Sequence, residues 1–241
     1  MNSQFTYCLI LGSTLACPMA LSFDRKVQFY KKWKYLFPAM LIPAGIYIAW
    51  DSWFTSKGVW SFNENYVTGI RLFNLPLEEI LFFFIVPYCC VFIYECLRCY
   101  FPRINNSRTG QTILISLAII LLCIGVFYYN RVYTSWTFIL NAIFIAAIFL
   151  WKSFFLRFNC VVFLLSWLVI LIPFLVVNGF LTAIPVVLYN DAENLGIRIS
   201  TIPIEDIFYG MLLAMMNIVI YEKLRNRPSL TSIQTSLPNK L

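Results

Sequence analysis

Two adjacent acids open one of the most apolar stretches of this chain: in GIRLFNLPLEEILFFF, Gly69 to Phe84, Glu78 and Glu79 stand directly before a run of aliphatic and aromatic side chains. A second stretch, GIRISTIPIEDIFYG from Gly196 to Gly210, repeats the arrangement with Glu205 and Asp206. Charge is expensive in lipid, so an ionisable residue in such a segment defaults to function. Two carboxyls in different surroundings can supply an acid and a base together, because burial favours the neutral form while an arginine or a helix N-terminus favours the ionised one. One turn beyond Glu78 and Glu205, on the same face, stand Phe82 and Tyr209, in a chain with 23 Phe, 14 Tyr and 7 Trp. Such rings suit a long apolar ligand, and their faces stabilise positive charge. Acids beside them can protonate an alkene. The competing reading is a brace, since acids in a first turn also favour the helix dipole. Arg71 and Arg198 are the natural partners of such acids. Equal placement in both stretches does not separate the readings, because two copies can need the same brace.

The elements that carry these acids follow from composition. Hydrophobic residues make up 61% and charged residues 12% of the chain, where soluble proteins carry about a quarter charged. A helix crossing the hydrocarbon layer needs about 20 apolar residues. Seven such runs are predicted, near 5–22, 35–54, 76–98, 111–129, 135–151, 160–180 and 203–222, giving an all-α, multi-pass integral membrane protein, placed in the cell (inner) membrane. The sixth run contains Pro173, a kink site. If the N-terminus is outside, the loops after the first, third and fifth helices plus the C-terminal tail hold 14 of the 18 Lys and Arg, which gives an N-out, C-in topology. The net charge of +7 is absorbed by this asymmetry, so no nucleic-acid partner is read into it. The first run lacks a basic leader and is expected to stay in the mature protein. The polar tail, 226–241, is expected to be disordered.

Shifting the chain by 127 residues lays 62–98 over 189–225 without a gap, with 12 of 37 pairs identical. The matches include Asn63 with Asn190, Gly69 with Gly196, Arg71 with Arg198, Pro76 with Pro203 and Glu78 with Glu205, while Glu79 meets Asp206. Shared hydrophobicity alone does not align polar residues. The same offset carries the first helix onto the fifth and the second onto the sixth. The plan is therefore two parallel three-helix repeats, 1–110 and 132–225, joined by a linker helix at 111–131. In each copy a glycine-containing loop leads to Pro-x-Glu-Glu/Asp, and proline is tolerated at a helix start because its missing N–H has no partner to lose. Neighbouring helix positions point about 100° apart, so one acid of each pair faces the gap between the halves and the other faces its own half.

LPLEEILFF and IPIEDIFYG, each preceded by Asn…GIR, resemble the signatures of the integral-membrane lycopene cyclases, in a form with two small cyclase domains fused in one chain. The second copy departs with Asp206 for Glu79 and Gly210 for Phe83, so the halves need not contribute equally. The fungal relatives with an attached phytoene synthase are not matched, since no length remains for a synthase. The resemblance implies a lipid-soluble carotenoid, lycopene, converted to a cyclic carotene of the β type: an acid protonates the terminal double bond, a neighbouring double bond closes the ring, and a base removes a proton. This isomerisation needs no cofactor and no metal, only an acid, a base and a dry pocket. Glu78 and Glu205 are taken as the catalytic candidates with Glu79 and Asp206 as their partners, which of them donates the proton being left open, while Arg71, Arg198, Phe82, Phe83, Tyr209, Asn63 and Asn190 form the binding or supporting set. Membrane lipid is the surrounding partner; a homo-oligomer, or contact with other carotenoid enzymes, is compatible with this reading.

Absences and rivals narrow the field. The chain has no histidine, which rules out His-box di-iron enzymes and His-ligated haem, and it has no G-x-G-x-x-G for a nucleotide. The last helix has no lysine within its apolar run for a retinal Schiff base. Cys96 and Cys99 form a lone C-x-x-C, which reads as packing rather than metal binding. Glu95 with Arg98 and Glu222 with Arg225 read as i,i+3 ion pairs at helix ends. The Asn105-Asn106-Ser107 sequon falls in a loop on the inner side and is discounted. The rivals are a SWEET-like solute transporter, which shares the parallel 3+1+3 plan but places its acids near the midplane, and a carotenoid hydratase, in which water captures the same cation.

Overall fold

The computed structural model of the protein describes residues 3–151 and 158–226. Seven long helices carry it: α1 (Thr6–Leu21), α2 (Trp33–Lys57), α3 (Leu77–Tyr100), α4 (Arg108–Phe127), α5 (Val132–Leu150), α6 (Cys160–Ala183) and α7 (Ile204–Arg225). Each expected run is met by a helix within a few residues. Six of them are long and apolar enough to cross a membrane; α2 is the exception. It holds Lys34, Lys57, Pro38, Pro43 and the buried Asp51, and the carboxyl that lowers its apolarity turns out to serve the site described below. Pro173 lies inside α6 without ending it. The basic residues Lys152 and Arg157 and nearly all of the polar tail lie outside the described residues.

Short strands were not expected, and six are present among the described residues. In the loop before α3, β2 (Arg71–Leu72) and β3 (Leu75–Pro76) pair as a tight hairpin. Before α7, β5 (Arg198–Ile199) and β6 (Ile202–Pro203) pair in the same register. The two glycines of the repeat find their reason here: Gly69 and Gly196 have φ of 84° and 72°, a left-handed backbone that side chains disfavour. The chain then folds back so that the N–H of Leu77 donates to Ile70 O (2.9 Å) and that of Ile204 to Ile197 O (3.0 Å). Pro76 and Pro203 stand just before the first helical residue, with extended ψ of 148° and 141°.

The strand β1 (Trp60–Phe62) pairs antiparallel with β4 (Val187–Tyr189). Under the 127-residue shift Ser61 pairs with its own counterpart Leu188, and Trp60 pairs with Tyr189, the counterpart of Phe62. At the opposite ends of α3 and α7 the same reciprocity recurs in charge. The i,i+3 contacts Glu95–Arg98 (3.7 Å) and Glu222–Arg225 (3.6 Å) are present. The closer contacts cross over: Arg98 binds Glu222, and Arg225 Nη1 donates to Glu95 Oε1 at 2.5 Å. Lys32 completes the cluster on Glu95. Both glutamates are buried, so the pairs join the α3 and α7 ends where an unpaired charge would be costly.

Candidate active site

Between these two ties, α1, α2, α3, α6 and α7 line a chamber that the β1–β4 ribbon borders. Its acids are Asp51, Glu79 and Asp206. Trp60 and Tyr189 reach in from the ribbon, Phe82 and Tyr209 from α3 and α7, and Asn178 from α6. Glu78 and Glu205 are absent from its lining. The gap-facing acid of each pair is thus the second one, Glu79 or Asp206, and the first acid turns back into its own half. The reason is the hairpin: Glu78 Oε1 accepts from the N–H of Thr68 (2.7 Å) and Glu205 Oε1 from the N–H of Leu195 (2.8 Å). Cys8 Sγ also donates to Glu78 (3.5 Å) and Thr134 Oγ1 to Glu205 (2.6 Å). The other oxygen of each, Oε2, is buried without a partner.

Tyrosines hold the chamber acids. Tyr7 donates to Glu79 Oε2 (2.6 Å) and Tyr133 to Asp206 Oδ1 (2.5 Å). These tyrosines are 126 residues apart, as are Cys8 and Thr134, which corrects the expected carry-over of the first helix onto the fifth at an offset of 127. The offset therefore changes by one residue between the first and second helices of the repeat. Tyr189 gives Asp206 a second phenol, to Oδ2 at 2.8 Å. Glu79 has no such second phenol because the counterpart of Tyr189 is Phe62. Its other neighbour is Asp51, within hydrogen-bonding reach, and Asp51 Oδ1 accepts from the hydroxyl of Tyr209.

Arg71 and Arg198 do not partner the motif acids. Each spans its own hairpin turn, Arg71 Nη1 to Asn74 O (2.8 Å) and Arg198 Nη1 to Thr201 O (2.7 Å). Their ion pairs go to loop acids, Glu64 and Asp191. The hydrogen bond from Arg198 holds the Asp191 carboxyl below its usual range. Asn63 and Asn190 are loop formers too, accepting from Asn65 N (3.1 Å) and Ala192 N (3.1 Å). Phe83 is fully buried against Tyr47, with ring centroids 5.6 Å apart, and stays outside the chamber. Exposed pairs such as Arg71–Glu64 contribute about 1 kcal/mol or less. Arg71→Gln and Arg198→Gln are therefore expected to leave the pH dependence of turnover unmoved and to lower thermal stability only slightly; an upward shift of the pH–rate profile in proteoliposomes would restore the arginines to the acid–base chemistry.

Sequence reasoning missed Asp51, Tyr7, Tyr133, Tyr189 and Trp60. Asp51 had a signal, being the lone acid within an apolar run. Tyr7 and Tyr133 become visible as a pair once the offset drops to 126. The free space at the centre of the chamber is about 40 Å³, room for a water or two. A second crevice shares Val86, Phe174 and Asn178 with it and runs on past Cys90 and Pro173 with an apolar lining. A larger groove of about 380 Å³ lies between α4 and α5, but no acid or other charged group lines it, and it is set apart from the chemistry. Among the described residues no group of three or more His, Cys, Asp or Glu is arranged to hold a metal, Cys96 and Cys99 included.

Comparison with known families matches a family model described as lycopene cyclase over residues 4–97 and again over 130–224. The chain belongs to the lycopene cyclase family. The two matched segments leave out most of α4 and each end on one of the acid-bearing helices. Curated relatives are bifunctional lycopene cyclase/phytoene synthases of fungi. That of Aspergillus niger is 26% identical over 83 residues, 32% of this chain and 14% of that protein. The Aspergillus oryzae protein is 29% identical over 96 residues, 39% of this chain and 16% of its own length, and the Phaeosphaeria nodorum protein 40% identical over 47 residues, 20% and 8%. The synthase-bearing fungal proteins are thus matched, contrary to expectation, but over less than a fifth of their length. No solved structure matches.

Proposed function

We propose that the protein cyclises lycopene, forming a β-type ring by protonation, ring closure and deprotonation, without net redox change. The observation that carries this reading is the chamber: three carboxyls held by phenols and walled by aromatic rings, at the junction of two copies of a lycopene cyclase motif. An acid adds a proton to the terminal alkene and leaves a tertiary cation. The π electrons of a nearby double bond form the ring bond, and a carboxylate takes a proton from a carbon beside the new cation. Ring faces of Trp60, Phe82 and Tyr209 suit the passing positive charge, and the ribbon above keeps water from capturing it. The catalytic groups in this reading are Glu79 and Asp206. Glu78 and Glu205 take the bracing role, pinning each hairpin to its helix. The reaction belongs to the intramolecular lyases and draws on no cofactor.

The arrangement in the membrane that accompanies this function is two parallel three-helix repeats, α1–α3 and α5–α7, with α4 as linker, the N-terminus outside and the C-terminus inside, in a cell membrane. The reciprocal β1–β4 pairing and the crossed Arg98–Glu222 and Arg225–Glu95 contacts support a two-fold relation between the repeats. The apolar crevice that adjoins the chamber suits the linear tail of the substrate. Because the space at the centre is small, admission of a chain end requires the ring walls or the ribbon to move. Expression in cells that accumulate lycopene, followed by pigment analysis, tests the function. Cyclic carotene of unchanged mass is expected; unaltered lycopene despite confirmed membrane insertion would refute it, and a product heavier by one water would assign the chain to hydration.

A further inference from the structure

The two copies agree closely in their motif residues, which makes their disagreements inside the chamber informative. Several lining positions differ in polar chemistry between the halves, and three of the differences act together. At the position shared by Phe62 and Tyr189, only the second copy has a phenol, and it binds Asp206. At the position shared by Asp51 and Asn178, only the first copy has a carboxyl, and it meets Glu79. At the position shared by Phe82 and Tyr209, only the second copy has a hydroxyl, and it crosses the chamber to Asp51. The result is polar asymmetry across the chamber. On one side two carboxyls face each other, and a hydrogen bond between carboxyls needs a proton to make it. On the other side a single carboxyl accepts a phenolic hydrogen bond on each oxygen, so both of its oxygens are engaged as acceptors.

We propose that the Asp51–Glu79 pair is the proton donor of the reaction and that Asp206, held by Tyr133 and Tyr189, is the proton acceptor. The assignment rests on the cyclase reading and deepens it. The proton shared by Asp51 and Glu79 moves to the terminal alkene carbon, whose π electrons form the new C–H bond. The next double bond supplies the electrons of the ring C–C bond. Asp206 then removes a ring proton, and that C–H electron pair becomes the ring double bond. The donor pair has lost one proton and Asp206 has gained one, so exchange with solvent resets the site with no electrons gained or lost. Asn178, the counterpart of Asp51, cannot take the donor role, so the chamber works in one chemical direction and handles one end of the substrate at a time.

A donor and an acceptor differ in what they control. The donor sets the rate of cation formation, whereas the acceptor also selects which C–H bond is broken and hence where the ring double bond lies. Asp51→Asn, which installs the counterpart residue with nearly the same shape, is expected to slow cyclisation about 10- to 100-fold with the ring isomer unchanged. Tyr189→Phe, the counterpart of Phe62, is expected to change the isomer composition of the product because Asp206 loses one of its two fixing bonds. Turnover and isomer composition are measured on detergent-solubilised membranes carrying equal amounts of each variant and supplied with lycopene. Near-normal turnover in Asp51→Asn, or altered isomers in Asp51→Asn with none in Tyr189→Phe, would overturn the assignment. If Asp51→Asn fails to accumulate, Tyr209→Phe decides: it keeps the carboxyl and removes the phenol on Asp51, and a rate about 3- to 10-fold lower with the same isomer supports the donor pair, while an unchanged rate refutes it. Absence of cyclic product from the unmodified protein would instead refute the cyclase reading itself.

Discussion

Glu79→Gln and Asp206→Asn are each expected to lower ring formation by about a thousandfold or more while the protein still accumulates in the membrane. Both side chains face the chamber, and both amides keep the size of the acid while losing the transferable proton or the basic oxygen. General acid–base catalysis contributes about 10²- to 10⁴-fold per group, and a step that makes a carbocation without other activation stands at the upper end. The paired substitutions one residue earlier are expected to behave differently. Glu78 and Glu205 are fully buried and bind the backbone N–H groups of Thr68 and Leu195, so Glu78→Gln and Glu205→Gln strike the hairpin and not the chamber. Reduced accumulation or thermal stability, with turnover per folded molecule largely kept, is the expected result. Turnover measured against immunoblotted protein for all four variants separates the two pairs; a collapse at Glu78 or Glu205 with retained turnover at Glu79 and Asp206 would invert the site.

Gly210→Phe gives the second large effect. Gly210 lines the chamber where its counterpart in the first copy is Phe83, and a β-carbon placed there would lie 2.6 Å from Phe174 Cε2 and 3.3 Å from Trp167 Cη2. Even alanine must push the end of the Phe174 ring, at a cost of about 1–3 kcal/mol in a packed interior. Phenylalanine has nowhere to go except into the chamber and the crevice beside it, so it occupies the space a substrate end needs. Activity is expected to fall at least about 100-fold, since displacing a reacting group by an ångström already costs that much. Gly210→Ala is expected to be folded, less stable and impaired mainly in KM. Wild-type turnover in Gly210→Phe would show that the substrate end does not enter between α3, α6 and α7.

Much of this was legible in the sequence, and the reasons for success and failure are physical. The helices declared themselves through long apolar runs, and the repeat through polar residues that hydrophobicity cannot align. The acid pairs stood out because charge in such a run is expensive, although the bracing reading stayed open beside the catalytic one. Their facing was not legible: a 100° difference between neighbours says that Glu78 and Glu79 diverge but not which one turns inward. That was decided by the hairpins, whose two-residue strands leave almost no pattern. The same hairpins took up Arg71 and Arg198, which sequence spacing had joined to the motif acids. Tyr189 and Trp60 sit on a three-residue strand pair formed between the repeats, a contact that no local pattern encodes. Asp51 was readable as an isolated acid but had no partner in sequence, since its neighbours Glu79 and Tyr209 come from α3 and α7.

The proposed reaction is a ring closure started by a proton from the protein and ended by a proton returned to it. It is tested most directly by supplying lycopene to the reconstituted protein in D₂O and measuring the mass of the product. The exchangeable proton of the donor acid is then a deuteron, so the account predicts cyclic carotene carrying one deuterium for each ring formed, against unchanged mass in H₂O. Cyclic product free of deuterium, a product short of two hydrogens, or one carrying the elements of water would contradict it.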